Sequence, residues 1–547
     1  MRKRIQTALY IALLVALLAG CSGTSTTTPA PTAAAATSAT TGDTTTPAPA
    51  AEESNFNPTG LPIVKEQVTI DVLHVRYQVA GDTFKDSEYF KKMEQDTHVK
   101  IDWKVAWESD WPEQRSIMFA SGDLPSVIFG ARGFTDMEIL SNLDYFLPLN
   151  DLIDQYMPNL QKVFEEEPAM RQICTGLDGN IYTLPKRMLA RPTVSYQPFI
   201  NHEWLANVGL DIPQTTEELY TVLKAFKEQD ANGNGDPNDE IPVTGWASST
   251  FMAEWQTLTL FGAYANGDGL AVRDGVVTFV PITDEFKEGV KFQHRLYSEG
   301  LLDNEFFTHD ETIAIAKMGN PDTCIVGYGY AWTPDSYFGP HAAQFTTIAP
   351  PARPDGKRFS TYMASNMGRN ELEITTYCEY PEVVARWADE FYTIDASVQN
   401  TWGPFDVCIE KTSDGIYKMI PPAEGESLDG RSWAQSVRDY GPKWAPATFD
   451  KFELDKEKGD GFKLEIDKIG RDYANPTFPT VTYSVAQIEE IATLATDIRA
   501  YVGTSCAKWI TQGGVEEDWD AYIEQLNAMG LERLTEIRIS AYEAYMK

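Results

Sequence analysis

Residues 68–75, VTIDVLHV, are mostly β-branched or aliphatic between polar flanks, and so predict a strand. A helical pattern follows from Ser87 to Thr97. After it come a second strand near Val99–Val105, a helix around Pro112–Ser121 and a short apolar run, Leu124–Phe129. Strand and helix alternating in this way predict a parallel sheet covered by helices, because parallel neighbours need a long crossover that folds back over the sheet. Further on, Thr215 and Glu218 have the spacing of a capping box, and Leu219, Val222, Leu223 and Phe226 behind them fall on one helical face. Pro381 suits a first helical position, where its missing N–H costs nothing, and Val384, Trp387 and Phe391 line the helix it starts. Ser484 with Gln487 predicts a third cap, followed by an apolar stripe of Ile488, Ile491, Ala495, Ile498 and Val502. The last helices are expected from about Asp518 to Lys547, with Gly530 as a stop between them.

The N-terminus has a different pattern. Arg2, Lys3 and Arg4 precede an apolar run, Ile5–Leu18, which is shorter than a membrane span. Leu18-Ala19-Gly20-Cys21 closes it and resembles a bacterial lipobox. That resemblance implies a signal peptide over 1–20, cleavage before Cys21 and a diacylglyceryl thioether on Cys21. Ser, Thr, Ala and Pro dominate the following segment and cannot bury enough apolar area to offset their ordering entropy. We read 21–60 as a disordered tether. The expected location is the extracytoplasmic face of the bacterial cell membrane, with the lipid as the sole membrane contact.

Composition removes several classes. The 547 residues carry a formal net charge of −35, and loss of the three basic signal residues makes it more negative still. Such a surface disfavours nucleic acid and anionic lipid as partners. Cys174, Cys324, Cys378, Cys408 and Cys506 are isolated, and the histidines are dispersed, so a zinc site is not expected. The sequence has no G-x-S-x-G elbow, Walker A loop or H-E-x-x-H helix.

Six stretches, in order, carry a resemblance: FASGDLPSVIFG (119–130), LDGNIYTLP (177–185), the run from FINHEWLANVGLDIPQTTEELY to DPNDEIP (199–242), FKEGVKFQHRLYSEGLLD (286–303), YPEVVARWADEFYT (380–393) and DWDAYIEQLNAMGLERLTEI (518–537). Together they resemble extracellular solute-binding protein family 1, the maltose-binding-protein-like class, in its long lipoprotein branch. The resemblance implies an α/β fold of two lobes joined by a hinge, with a ligand cleft between them. It implies no enzyme, but the substrate-binding component of an ABC importer that delivers an oligosaccharide to permease subunits on separate chains. On this layout the solute-binding domain is 61–547. Lobe 1 takes about 61–193 and 353–400, lobe 2 about 197–350 and 403–480, and the C-terminal helices 484–547. The crossings are expected near Arg191–Gln197, Ala349–Arg353 and Trp402. The chain is expected to act as a monomer. A peptide ligand and an anchored polysaccharide-degrading enzyme are the alternatives.

Residues 230–242, DANGNGDPNDEIP, gather oxygen ligands on a flexible loop. Asp230, Asn232, Asn234, Asp236, Asp239 and Glu240 offer the hard oxygens that calcium takes six to eight at a time. Gly233 and Gly235 permit the positive φ that a tight wrap needs. The start follows the EF-hand pattern, but the twelfth position is Ile241 rather than Glu, and Pro242 opposes a following helix. A matching loop in the resembled family carries a structural calcium, and that is the expected cofactor. For the ligand, aromatics stack on sugar faces while polar groups meet hydroxyls. The candidates, chosen by position, are Arg76, Tyr77, Trp107, Trp111, Arg132, Phe134, Trp246, Tyr330, Trp332 and Trp402. Tyr330 and Trp332 lie in GYGYAWTP, which matches a family segment whose aromatic stacks a sugar.

Overall fold

The computed structural model describes residues 54–236, 238–247, 256–362, 366–423 and 426–546. Cys21, the signal and most of the tether lie outside them. Residues 54–547 form one compact unit. Among the described residues no helix is long and apolar enough to cross a membrane.

The first sheet begins with β1 (Val68–Arg76), β2 (Val99–Trp107) and β3 (Val127–Phe129). β1 pairs in parallel with both of the others, Val72 opposite Trp103 on one side and Val127 on the other. Helices Glu88–Thr97 and Trp111–Ser121 supply the two crossovers, as the periodicity predicts. β4 (Leu184–Arg187) lies at the far edge of the same sheet. The second sheet is built on β5 (Gln197–Asn201) and β6 (Ile241–Val243), followed in sequence by a separate hairpin, β7 (Leu270–Arg273) and β8 (Val276–Phe279). β9 (Val326–Ala331) and β10 (Phe345–Thr347) complete the second sheet in the order β10-β5-β9-β6. After the short β11 (Ser360–Thr361), β12 (Met367–Ile374) returns to the first sheet and separates β3 from β4, antiparallel to both. Each lobe therefore combines segments distant in sequence, and the molecule has the two-lobed α/β fold of periplasmic binding proteins.

Each sheet has its own core. Val72, Phe84, Phe129, Trp387 and Phe391 are buried together in the first lobe. In the second, Leu219, Val222, Leu223 and Phe226 of helix Thr216–Glu228 pack against Trp204 and Tyr328. Each such side chain contributes about 1.5–3 kcal/mol on burial. Thr215 caps this helix by accepting from Glu218 N, but the Glu218 carboxylate reaches one residue further back, to Gln214 N. At helix Val485–Gln512 the box closes in both directions between Ser484 and Gln487. Ile498, Val502 and Trp509 of that helix join the second lobe's core, as do Trp519 and Tyr522 of the next. That next helix, Val515–Ala528, begins three residues before the expected Asp518.

The first crossing joins β4 to β5 and the second joins β10 to β12; Val194 and Tyr362 pair where the two meet. The third is displaced from its expected place. Trp402 is buried in the first lobe beside Leu189, Val398 and Cys408. Beyond it Gly403, at φ 107°, turns the chain back, and Ile409 and Tyr417 pack on the same cluster. The described residues of 403–457 thus pack with the first lobe rather than the second. The passage between lobes comes with helix Gly459–Gly470 and the residues after it. There Ile466 joins Phe199 and Phe338, and Phe478 enters the second lobe's core. Asp467 fixes this passage to the first crossing by accepting from Thr193 N and Val194 N, both at 2.9 Å.

Candidate ligand cleft and metal loop

The residues just past the carboxyl ends of β1, β2 and β3 open onto one cavity of about 700 Å³. This is where α/β sheets hold ligands, because the strands end there and the loops diverge. Tyr77 follows β1, Glu108 follows β2, and Ala131 and Arg132 follow β3. Met188 and Arg191 of the first crossing line the cavity too, as do Gly368–Glu371 of β12 and Asp439 and Tyr440 from the returning segment.

This wall is built of ion pairs. Arg132 bonds Glu108 and the Tyr77 hydroxyl, and its guanidinium lies 4.4 Å over the Tyr77 ring. Arg115 Nε meets Glu138 at 2.7 Å, and Lys186 Nζ meets Glu371 at 2.6 Å. Arg191 pairs with Asp439, and Arg369 with Asp136. Burial raises the Tyr77 phenol above its ordinary range and outweighs the opposing pull of Arg132. Burial also pushes the Asp439 carboxyl upward, yet Arg191, Arg438 and Lys186 together hold it below the usual range.

An aromatic cluster stands beside the first crossing, outside the lining of this cavity. The Tyr196 ring stands 5.5 Å from Trp332, 6.1 Å from Trp246 and 6.1 Å from Tyr337. Tyr337 reaches the Tyr196 hydroxyl and Glu311. Glu311 in turn adds to the upward push on the Tyr77 phenol, so charge from the second lobe is felt across the gap.

The ten ligand candidates separate accordingly. Tyr77, Arg132, Trp111 and Phe134 line the cavity. Of these, Tyr77 is 37% exposed while Trp111 and Phe134 are each 2% exposed. Trp111 donates its indole N–H to Gly133 O, and Phe134 packs on Phe119 and Phe146, so these two wedge the loop beneath the wall. Trp246 and Tyr330 line a smaller recess with Tyr196. Trp332 is held against Tyr196. Arg76, Trp107 and Trp402 do not line the cavity. Arg76 is fully buried over Phe84 and donates to Ala80 O and Trp433 O, and burial pushes its pKa down to about 10. Trp107 ends β2 in a turn closed by Asp110 N. The Trp402 indole N–H is committed to Asp460 at 2.8 Å. Tyr196, Lys186, Arg191, Arg369 and Asp439 were missed. A crossing adjacent to both sheets could have suggested Arg191 and Tyr196; the others depend on distant pairings.

The acidic loop joins helix Thr216–Glu228 to β6. Gly233 and Gly235 have φ of 71° and 92°. Asp230 accepts from Asn234 N at 3.0 Å and Gly235 N at 2.9 Å. Asn232 and Asn234 both turn toward Asp239, at 2.9 and 2.7 Å. Asp236 accepts from Asn238 N. Glu240 is 2% exposed; one of its oxygens accepts from Ala231 N and the other has no hydrogen-bond partner. Burial pushes its carboxyl above the ordinary range. A buried carboxylate oxygen without a partner, on a loop so rich in oxygen, fits a hard cation. Asp303, Glu305 and His309 form another acidic group, but Lys317 Nζ already lies 2.7 Å from each of its two carboxylates.

No family model matches the chain. It is 31% identical over 483 residues to the fructooligosaccharide ABC transporter substrate-binding protein FusA of Streptococcus pneumoniae, a match covering 83% of this chain and 86% of that one. The chain belongs to the substrate-binding proteins of ABC transporters. Solved FusA structures superpose with a TM-score of 0.77 at 28% identity, over 88% of this chain and 99% of theirs. One holds kestose, and another is an EF-hand mutant with fructo-nystose. Lipoprotein LipO of Bacillus subtilis is 29% identical over 43% of this chain and 44% of its own. The polygalacturonan/rhamnogalacturonan-binding protein YtcQ of the same organism is 24% identical over 40% of this chain and 41% of its own. FusA and YtcQ are both binding proteins.

Proposed function

We propose that the chain captures an oligosaccharide between its lobes and presents it to a permease made of separate subunits. The observation that carries this is the nearness of two unlike surfaces, a charged cavity lining and an aromatic cluster whose neighbour Glu311 acts on Tyr77 of that lining. Tyr196 and Trp332 offer aromatic faces to sugar rings, and Tyr77 and Arg132 with their partners offer donors and acceptors to hydroxyls. Hinge motion at Val194, Tyr362 and Asp467 would bring the two surfaces together. Calorimetric titration with a panel of oligosaccharides and of peptides tests the reading. Saccharide binding is expected, and binding of peptides alone would overturn it.

Asp230, Asn232, Asn234, Asp236, Asp239 and Glu240 would hold a structural calcium ion. It would neutralise the loop's carboxylates and tie the end of helix Thr216–Glu228 to β6. The orphaned Glu240 oxygen supports this, as does the EF-hand named for the related FusA. The loop lies at the second lobe's helix end, so the role is stability rather than ligand contact.

Cys21 would carry the lipid that anchors the chain at the extracytoplasmic face, where it acts as a monomer. A Cys21→Ser variant should then appear in the soluble fraction, and its retention on membranes would refute the anchor.

A further inference from the structure

We infer, resting on the oligosaccharide reading, that the cleft selects a neutral glycan and rejects oligosaccharides bearing uronate groups. Relatives carry ligand names of both kinds, so ancestry does not decide between them. The charge arrangement of the cleft does. Each of the five cations lining the first wall has a carboxylate within ion-pair distance, and Asp439, paired with Arg191, is also felt by Lys186.

A uronate entering this cavity would lose its hydration and find no uncommitted cation to replace it. Approaching Arg132 or Arg191 would set it beside Glu108 or Asp439, and like charges at such range repel. Displacing a resident carboxylate only exchanges one ion pair for another and leaves the displaced group in the cleft. Among the described residues, the aromatic cluster adds no positive charge. It presents Tyr196, Trp332 and Tyr337, together with the acid Glu311, whose charge already reaches Tyr77. The net charge of −35 repels a polyanion further out as well.

A neutral hydroxyl meets none of these costs. It accepts from a guanidinium N–H and donates to the neighbouring carboxylate oxygen, so each ion pair offers both halves of a hydroxyl site while keeping its own balance. The exposed part of the Tyr77 ring and the aromatic cluster around Tyr196 then supply the apolar contacts that a sugar ring needs.

The purified full chain is titrated calorimetrically with two sets of oligosaccharides, di- to tetrasaccharides in each. The neutral set includes kestose and other fructo-, gluco-, manno- and xylo-oligosaccharides, and the charged set contains oligogalacturonates. Both are measured at low and at raised salt. At least one neutral member should bind about tenfold or more tighter than the best oligogalacturonate, with affinity nearly independent of salt. Preference for an oligogalacturonate, weakening as salt is added, would overturn the inference and leave the oligosaccharide reading standing. Binding of neither set would remove that reading and this inference with it. Glu108→Gln supplies a second arm, because both partners of the Glu108–Arg132 pair are 38% exposed and the fold does not depend on it. Freeing Arg132 should raise the ratio of uronate to neutral affinity about fivefold. An unchanged or lower ratio would show that pairing is not what excludes the anion.

Discussion

On the first lobe's side of the cleft, cations and carboxylates alternate, and each is held by a neighbour. On the second lobe's side, Tyr196 stands among Trp246, Trp332 and Tyr337. The supports beneath the two walls differ in the same way. Under the first lies a buried ionic network, in which Arg438 donates to both oxygens of Asp460 at 2.9 and 3.0 Å and to Asp429 at 2.8 Å. Lys463 joins the same two acids. Under the second lies the apolar cluster of Phe199, Val326, Phe338 and Phe345. Polar recognition needs fixed donors and acceptors, and buried charge fixes them by making other arrangements costly. Stacking needs only a rigid face, which apolar packing provides.

The sharpest way to break this contrast is to remove a charge from the network. Asp460→Ala leaves Arg438 buried with Asp429 in contact and Asp439 nearby, and frees the Trp402 indole N–H. Removing one partner of a buried pair costs about 3–5 kcal/mol. Denaturant unfolding should show a loss of that order. Because Asp439 is adjacent to Arg438, the Arg191 pair at the hinge should loosen as well. A loss near zero would mean that the first wall is not held by its ions. On the second lobe, calcium would be the comparable charge device. Chelation should lower the melting temperature, and added calcium should restore it. A free concentration a hundredfold above the dissociation constant stabilises by about 2.7 kcal/mol. Hydrogen exchange should locate the loosening in the second lobe, around Thr216–Val243. If chelation changes nothing, and Asp230→Ala melts like the parent, the loop is an acidic turn without an ion.

A smaller effect is expected from Tyr196→Ala. It removes the ring that holds Trp246 and Trp332 in place, so affinity for the bound oligosaccharide should fall about tenfold, or ~1.4 kcal/mol. Tyr196 is only half-buried against the cluster of Phe199 and Phe338, and the melting temperature should change little. Unaltered affinity would take the aromatic wall out of the site.

The two walls also differ in how far they can be read from sequence. β1, β2, β3 and the caps at Thr215 and Ser484 depend on neighbours a few residues away, so periodicity and spacing reveal them. The second wall's Trp246 and Trp332 were accessible because an aromatic near a strand end is a reasonable guess. The same guess puts Trp111 and Phe134 at the cavity but almost fully buried, and Trp402 outside its lining, since a ring that is exposed and a ring used as a wedge look alike before burial is known. The first wall is still less legible. Arg369 and Asp136, or Arg191 and Asp439, meet only after the lobes assemble. The acids and bases of a chain this charged offer too many alternative partners. The third crossing was misplaced for a related reason: nothing local to Trp402 shows that the following 403–457 segment folds back onto the lobe it came from.

The smallest predicted effect concerns Glu373, beneath the first wall. It follows Glu371 by two residues on β12, so both side chains share one face of the sheet, and it stands opposite Ile128 of β3. Glu371 has Lys186 and Gly441 N, whereas Glu373 is fully buried and neither of its oxygens has a hydrogen-bond partner. Burial, reinforced by the charges of Glu371 and Asp136, raises its pKa well above the ordinary 4.5. The folded chain therefore keeps this proton over a range in which the unfolded chain releases it. Stability attributable to this site is full below about pH 4.5 and falls as pH rises toward the native pKa. Glu373→Gln keeps the shape and removes the titration. Near pH 4 the variant and parent should differ only by the amide's packing, and near pH 8 the balance should shift in the variant's favour. The difference between the two pH values isolates the proton from the packing. If that difference is zero, Glu373 ionises as easily in the fold as out of it, and the first wall does not rest on a neutral carboxyl.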